Sequence, residues 1–262
     1  MNLLRAIMLV SVSLLLTACV TTTQSPFSGK QDLEKAVETY IQIGYAHFEN
    51  NNLFEAKRSL DQALDIDSRA SGAHLGLARV YEVEREVDLA DHHFRRAIRY
   101  DGGTEARFQY AVFLYNERRY ENAREEFEEV TKDTFYQRRA QSFEYLALSA
   151  RRVDRVDEAI TAYERAIVLD RLLVNSYIGL ADLQFQQERM QEALRAYRGY
   201  ISLVRAERAN QSPFSLWLGI QIAYAMNDED LYSSLVLQLR NRFANSPEFA
   251  EYQRWKQAQD ET

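Results

Sequence analysis

One cysteine, three prolines and nine glycines are all that this chain of 262 residues holds of the residue types that staple or interrupt secondary structure. A single thiol excludes an intramolecular disulfide framework. So few breakers exclude a turn-rich all-β architecture, and a body dominated by Leu, Ala, Glu, Arg and Tyr reads as helix nearly throughout. Positive charge is also short: 32 Lys and Arg stand against 39 Asp and Glu, for a net charge of −7. No basic cluster is free of interleaved acids, and a nucleic acid partner needs a basic stripe to release its counterions. The sequence therefore excludes nucleic acid binding.

Long hydrophobic runs are missing except near the start, where Ala6 to Leu16 is broken only by Ser11 and Ser13 and is too brief to span a bilayer comfortably. Arg5 precedes it, and the small pair Thr17-Ala18 leads directly to the lone Cys19, the pattern of an export signal with a processing site. The stretch "LTAC" resembles the bacterial lipobox. That resemblance implies cleavage after residue 18 and lipidation of Cys19, which then anchors the mature protein. Cleavage removes Arg5 alone among charged residues, moving the net charge to −8. Residues 19–31 are expected to be the lipidated N-terminus and a flexible tether, because "VTTTQSPFSGKQ" is polar and carries Pro26 and Gly29. The folded domain is expected over residues 32–262.

That domain repeats itself. Ala56, Ala90, Ala123, Ala159 and Ala193, with Leu231 in the equivalent place of a sixth unit, are separated by 34, 33, 36, 34 and 38 residues. This is the period of a helix-turn-helix solenoid. Other positions recur in register: Tyr40, Ile43, Gly44, Leu60 and Ala63 in unit one; His74, Leu77, Ala78, Tyr81, Phe94 and Ala97 in unit two. Units four and five repeat them as Phe143, Leu146, Ala147, Tyr163 and Ala166, and as Tyr177, Leu180, Ala181 and Tyr197. The sequence resembles the tetratricopeptide repeat family. An all-α superhelical solenoid of about six units is expected, in which small residues let paired helices approach and aromatic or Leu side chains fill the space between units. Unit three departs by placing Arg107 at the aromatic position, and unit six with "SPEFAEYQRW" reads as a C-terminal cap, Ser246 capping a helix that begins at Pro247.

No catalytic constellation is present. His92 and His93 are adjacent rather than one turn apart, so they cannot chelate as an i, i+4 pair. His47 and His74 occupy scaffold positions, the acids Glu125, Glu126, Glu128 and Glu129 read as a solvated helix face, and Gly102-Gly103 reads as a turn between units. Neither an enzyme, nor a metal, nor a cofactor, nor a small-molecule substrate is expected.

What remains is a binding surface. The tetratricopeptide resemblance implies a concave groove lined by the first helix of each unit. Carried over by register, that places Ile41, Tyr45, Phe48 and Glu49 of unit one, Leu75, Arg79, Glu82 and Val83 of unit two, and Phe108, Val112, Tyr115 and Asn116 of unit three in the groove. Unit four offers Gln141, Glu144, Arg151 and Arg152 around Leu148, and unit five offers Asn175 and Asp182 beside Ile178 and Phe185. The groove thus turns from aromatic and aliphatic to charged. The expected protein-binding residues are Ile41, Tyr45, Phe48, Leu75, Val83, Phe108, Val112 and Tyr115, suited to anchoring a partner helix or extended peptide. Lipobox, short tether and about six repeats filling the chain together resemble the type IV pilus biogenesis and stability lipoproteins, the PilF/PilW kind. The resemblance implies a pilotin that binds secretin subunits and supports their assembly at the outer membrane. The absence of Asp after Cys19 agrees with outer-membrane placement. The alternative keeps the scaffold and changes the client, to outer-membrane protein assembly or to peptidoglycan hydrolases.

Overall fold

A computed structural model describes residues 26–260, and among these the regular structure is thirteen helices. They are α1 (Pro26–Glu49), α2 (Leu53–Ile66), α3 (Ser71–Glu84), α4 (Val87–Arg99), α5 (Gly103–Asn116), α6 (Tyr120–Lys132) and α7 (Arg139–Arg152). There follow α8 (Val156–Leu169), α9 (Val174–Gln186), α10 (Met190–Arg205), α11 (Pro213–Ala225), α12 (Glu229–Arg242) and α13 (Pro247–Asp260). Successive helices pair as hairpins, α1 with α2 through α11 with α12, giving six units and a final cap. Cys19 and the first tether residues lie outside the described part of the chain. Residues 26–31, expected to belong to the tether, are helical instead, because Pro26 sits where its missing N–H costs a helix nothing and Gly29 is not enough to stop α1.

The second helix of each unit shows why the sequence folds this way. In α2, α4 and α8 the buried residues follow a small-large-small rule at i, i+4 and i+7: Ala56, Leu60 and Ala63; Ala90, Phe94 and Ala97; Ala159, Tyr163 and Ala166. The alanines let the partner helix come close, and the large residue reaches into the next unit. There it meets one of two receptions. Leu60 lies over Gly76, Tyr163 over Gly179 and Tyr197 over Gly219, so tightly that a Cβ on any of these glycines would come within 3.0 Å of the side chain. Phe127 instead stacks on Tyr145 (5.2 Å, 11°), and Phe94 packs against Tyr110 and Phe113.

Each hairpin turn carries one left-handed residue: Asn51, Arg85, Arg118, Asp154, Glu188 and Asn227, none of them glycine. The next N–H closes a six-residue ring back onto the first helix, as in Glu86 N to Tyr81 O and Arg119 N to Leu114 O (both 2.9 Å), satisfying carbonyls that the helix end leaves open. Units two to six share one buried cluster that runs from Leu75 to Tyr252, while the core of unit one is a smaller cluster built on Leu60 and Leu77. At the far end Ser246 Oγ caps α13 through Phe249 N (3.2 Å), and Tyr252 and Trp255 cover Trp217. No described helix is long and apolar enough to cross a membrane.

Candidate functional site: the groove of the first helices

The repeat register lines residues up along the groove in rows, one residue per unit from α1, α3, α5, α7 and α9. The first row is Ile41, Leu75, Phe108, Glu144 and Ile178. The second is Tyr45, Arg79, Val112, Leu148 and Asp182, and the third is Phe48, Glu82, Tyr115, Arg151 and Phe185. At two places along the groove the third-row residue of one unit touches the second-row residue of the next. In units four and five this contact is an ion pair, Arg151 Nη2 to Asp182 Oδ2 at 2.5 Å, with Gln186 also donating to Asp182 at 2.9 Å. In units one and two it is a cation over a ring, the Arg79 guanidinium carbon lying 4.5 Å from the Phe48 centroid.

The first-row residues split by depth. Leu75 and Phe108 are 8% and 3% exposed, which corrects the expectation that they face a partner. Leu75 joins the main core, and Phe108 is enclosed by Phe127, Tyr136 and Tyr145 with the Arg138 guanidinium 4.1 Å above its ring. An apolar side chain at helical spacing goes inward when the next unit offers it a pocket, and spacing alone does not separate the two outcomes. Ile41 is half-buried against Gly72. Tyr45, Phe48, Val112 and Tyr115 are half-buried as well, and Val83 is 51% exposed. These six form the open apolar strip of units one to three.

Hydrogen bonds and charge hold this strip in shape. Tyr45 Oη donates to the Gly72 carbonyl (3.3 Å), and burial, helped by the charge of Glu105, pushes its pKa up to about 12. Tyr115 packs edge-on against Tyr120 and Tyr145, with the Arg152 guanidinium 5.5 Å from the centre of the Tyr120 ring. Glu82 is raised above the usual carboxylate range by burial, with the Asn116 amide beside it partly offsetting the shift. In unit four, Glu144 is almost wholly buried and is satisfied by Ser176 Oγ at 2.7 Å. The middle of the groove is therefore polar but already paired.

Among the described residues no group of three or more His, Cys, Asp or Glu could hold a metal ion. The histidines do make one arrangement that adjacency in sequence hides. His74 Nε2 donates to the Ser68 carbonyl (3.2 Å), which leaves its Nδ1 lone pair to accept from His93 Nδ1 at 3.0 Å. Burial depresses both imidazoles, His93 to about 4, and Arg96 and His92 add to the effect. His92, beside them, is exposed.

The tetratricopeptide repeat family matches residues 84–136 and 146–213, and a second tetratricopeptide-repeat pattern matches residues 37–69. A Pseudomonas aeruginosa protein, type IV pilus assembly protein PilF, is 32% identical over 251 residues, an alignment that spans 95% of this chain and 98% of that protein. The solved structure of Pseudomonas aeruginosa PilF superposes with a TM-score of 0.70 at 31% identity, covering 85% of this chain and 99% of that one. PilW, described as a widely conserved type IV pilus biogenesis factor, superposes with a TM-score of 0.63 over 82% of this chain and 97% of its own. At 19% identity PilW speaks to the fold alone.

Proposed function

The chain belongs to the PilF/PilW family of tetratricopeptide-repeat type IV pilus biogenesis proteins, and from that premise we propose that it is a pilotin. It is a lipoprotein held at the outer membrane through Cys19 that binds secretin subunits in the periplasm and supports their assembly into the ring. The observation that carries this reading is the open apolar strip of Ile41, Tyr45, Phe48, Val83, Val112 and Tyr115 on a tetratricopeptide-repeat scaffold.

Nothing in such a role requires catalysis. Half-buried aromatic side chains, pinned by the next unit, lose little freedom when a partner side chain covers them, which lowers the ordering cost of binding. A few of them are expected to dominate the binding energy. The lipid supplies attachment, about 0.8 kcal/mol per buried methylene, and several acyl chains together make it durable. Six residues separate Cys19 from Pro26, a span of at most about 25 Å when fully extended, which holds the start of α1 near the membrane surface.

The test is secretin assembly in cells lacking the protein, complemented with the wild type or with Cys19→Ala. Detergent-resistant secretin multimers are read on a gel, and the mature protein by intact mass. The proposal expects multimers to depend on the protein and a lipid-modified Cys19 as its first residue. Normal multimers in its absence overturn the secretin reading and leave a scaffold with another client. A mature protein beginning elsewhere overturns the anchor.

A further inference from the structure

Resting on the reading of units one to three as the client groove, we infer that Arg79 is the seat of a partner's carboxylate, so that the segment this groove takes is an acidic-apolar peptide. The same inter-unit contact, made at two places, carries the argument. Where Arg151 meets Asp182, cation and anion consume one another. At the same contact one end of the groove earlier, Arg79 meets rings: its guanidinium carbon is 4.5 Å from the centroid of Phe48 and 5.6 Å from that of Tyr45. No carboxylate oxygen among the described residues lies within 4.0 Å of it.

Neither acid in its neighbourhood makes an ion-pair contact with it. Glu105 is held by Arg138, Tyr136 and Gln109. Glu82, one turn along the same helix, feels the charge of Arg79 but is partly desolvated and bound to the Asn116 amide. Beside Arg79 the Tyr45 hydroxyl donates to the Gly72 carbonyl. The planar fork of Arg79, which matches a carboxylate in geometry, makes no ion pair with a described acid. A ring face on one side also fixes the guanidinium plane, so the cation is oriented before any partner arrives. Val83, 51% exposed one turn further along α3, supplies apolar surface for the side chain next to that carboxylate.

The probe is an array of decapeptides tiled along the secretin, each paired with a twin in which Asp and Glu are replaced by Asn and Gln. Binding to the full chain is read by fluorescence anisotropy. Binding tiles are expected to prefer the acidic form by about tenfold, the difference a charge-assisted hydrogen bond supplies. Arg79→Gln should abolish that preference and Arg79→Lys should keep part of it, with unchanged helical circular dichroism in both. Tiles that bind wild type equally well in acidic and amide form overturn the carboxylate seat while leaving the groove reading intact. An acid preference that survives in Arg79→Gln overturns it too. If neither the tiles nor the intact secretin binds, the groove reading fails and this inference with it.

Discussion

Arg79 in unit two and Arg151 in unit four belong to one contact made twice along the groove, with opposite consequences. Arg151 faces Asp182, and the pair, together with Glu144 on Ser176, makes the middle of the groove a closed polar seam. Arg79 faces Phe48, and the N-terminal part keeps an open apolar strip with Arg79 beside it. The helix geometry is the same in both places. Satisfaction of polar groups within the chain, rather than shape, decides which stretch of a repeat groove is stitching and which is available to a partner.

Breaking the closed seam has the largest expected effect on stability. Ser176→Val would leave the Glu144 carboxylate buried without its donor, so unfolding in denaturant should show a loss of about 3 kcal/mol. Hydrogen exchange should place that loss in units four and five. Breaking the open strip should act on binding instead. Tyr45→Ala or Phe48→Ala is expected to cost about 2 kcal/mol of secretin affinity, measured by titration beside a melting curve. Arg152→Ala, at the polar edge, should change mainly the salt dependence. If the aromatic variants bind normally, or fail only because they unfold, the division between the two regions is wrong.

Acid sharpens the comparison from another side. The unfolded imidazole takes a proton near pH 6.5, whereas His93 resists it down to about 4 in the folded chain. The unfolded state therefore binds more protons between those values, and stability is complete above pH 6.5 and falls as pH drops towards 4. Chemical denaturation across that window should show about 1–2 kcal/mol lost, discounted for the partial exposure of His93. His93→Asn should flatten the slope, and exchange should place the loosening in unit two rather than in units four and five. The smallest effect is expected at a turn. Arg85→Gly relieves a left-handed residue (φ 64°) at the cost of a floppier unfolded chain, and should raise stability by about 0.5 kcal/mol, read as a small rise in Tm.

The repeat register, the six hairpins and the Ser246 cap were legible because each depends on local spacing: small residues at Ala56 or Ala90, an N-cap before a proline. Depth was not. Ile41 and Leu75 are the same kind of residue at the same position, and only the neighbouring unit decides that Leu75 is covered. The pairing of His74 with His93 escaped because it joins residues 19 apart on two helices, while the eye is drawn to His92 beside His93. Nor does any sequence signal announce that Arg79 lies on a ring while Arg151 finds an acid, because each contact is made with a different unit.

The two receptions that large side chains find in the next unit give the repeats an address. A phenol from unit four fits the bare backbone at Gly179, and one from unit five fits Gly219; Phe127 of unit three needs the ring of Tyr145. A copy of unit five inserted after itself would set Tyr197 against a second Gly179 and continue the array without a seam. Unit five placed directly after unit three would set Phe127 over that same glycine and leave a hole where Tyr145 had been. Growth of this protein by duplication is thus permitted at its C-terminal end and forbidden in its middle, so lineages that lengthen it should do so beyond the client groove and leave the groove's sequence of units untouched.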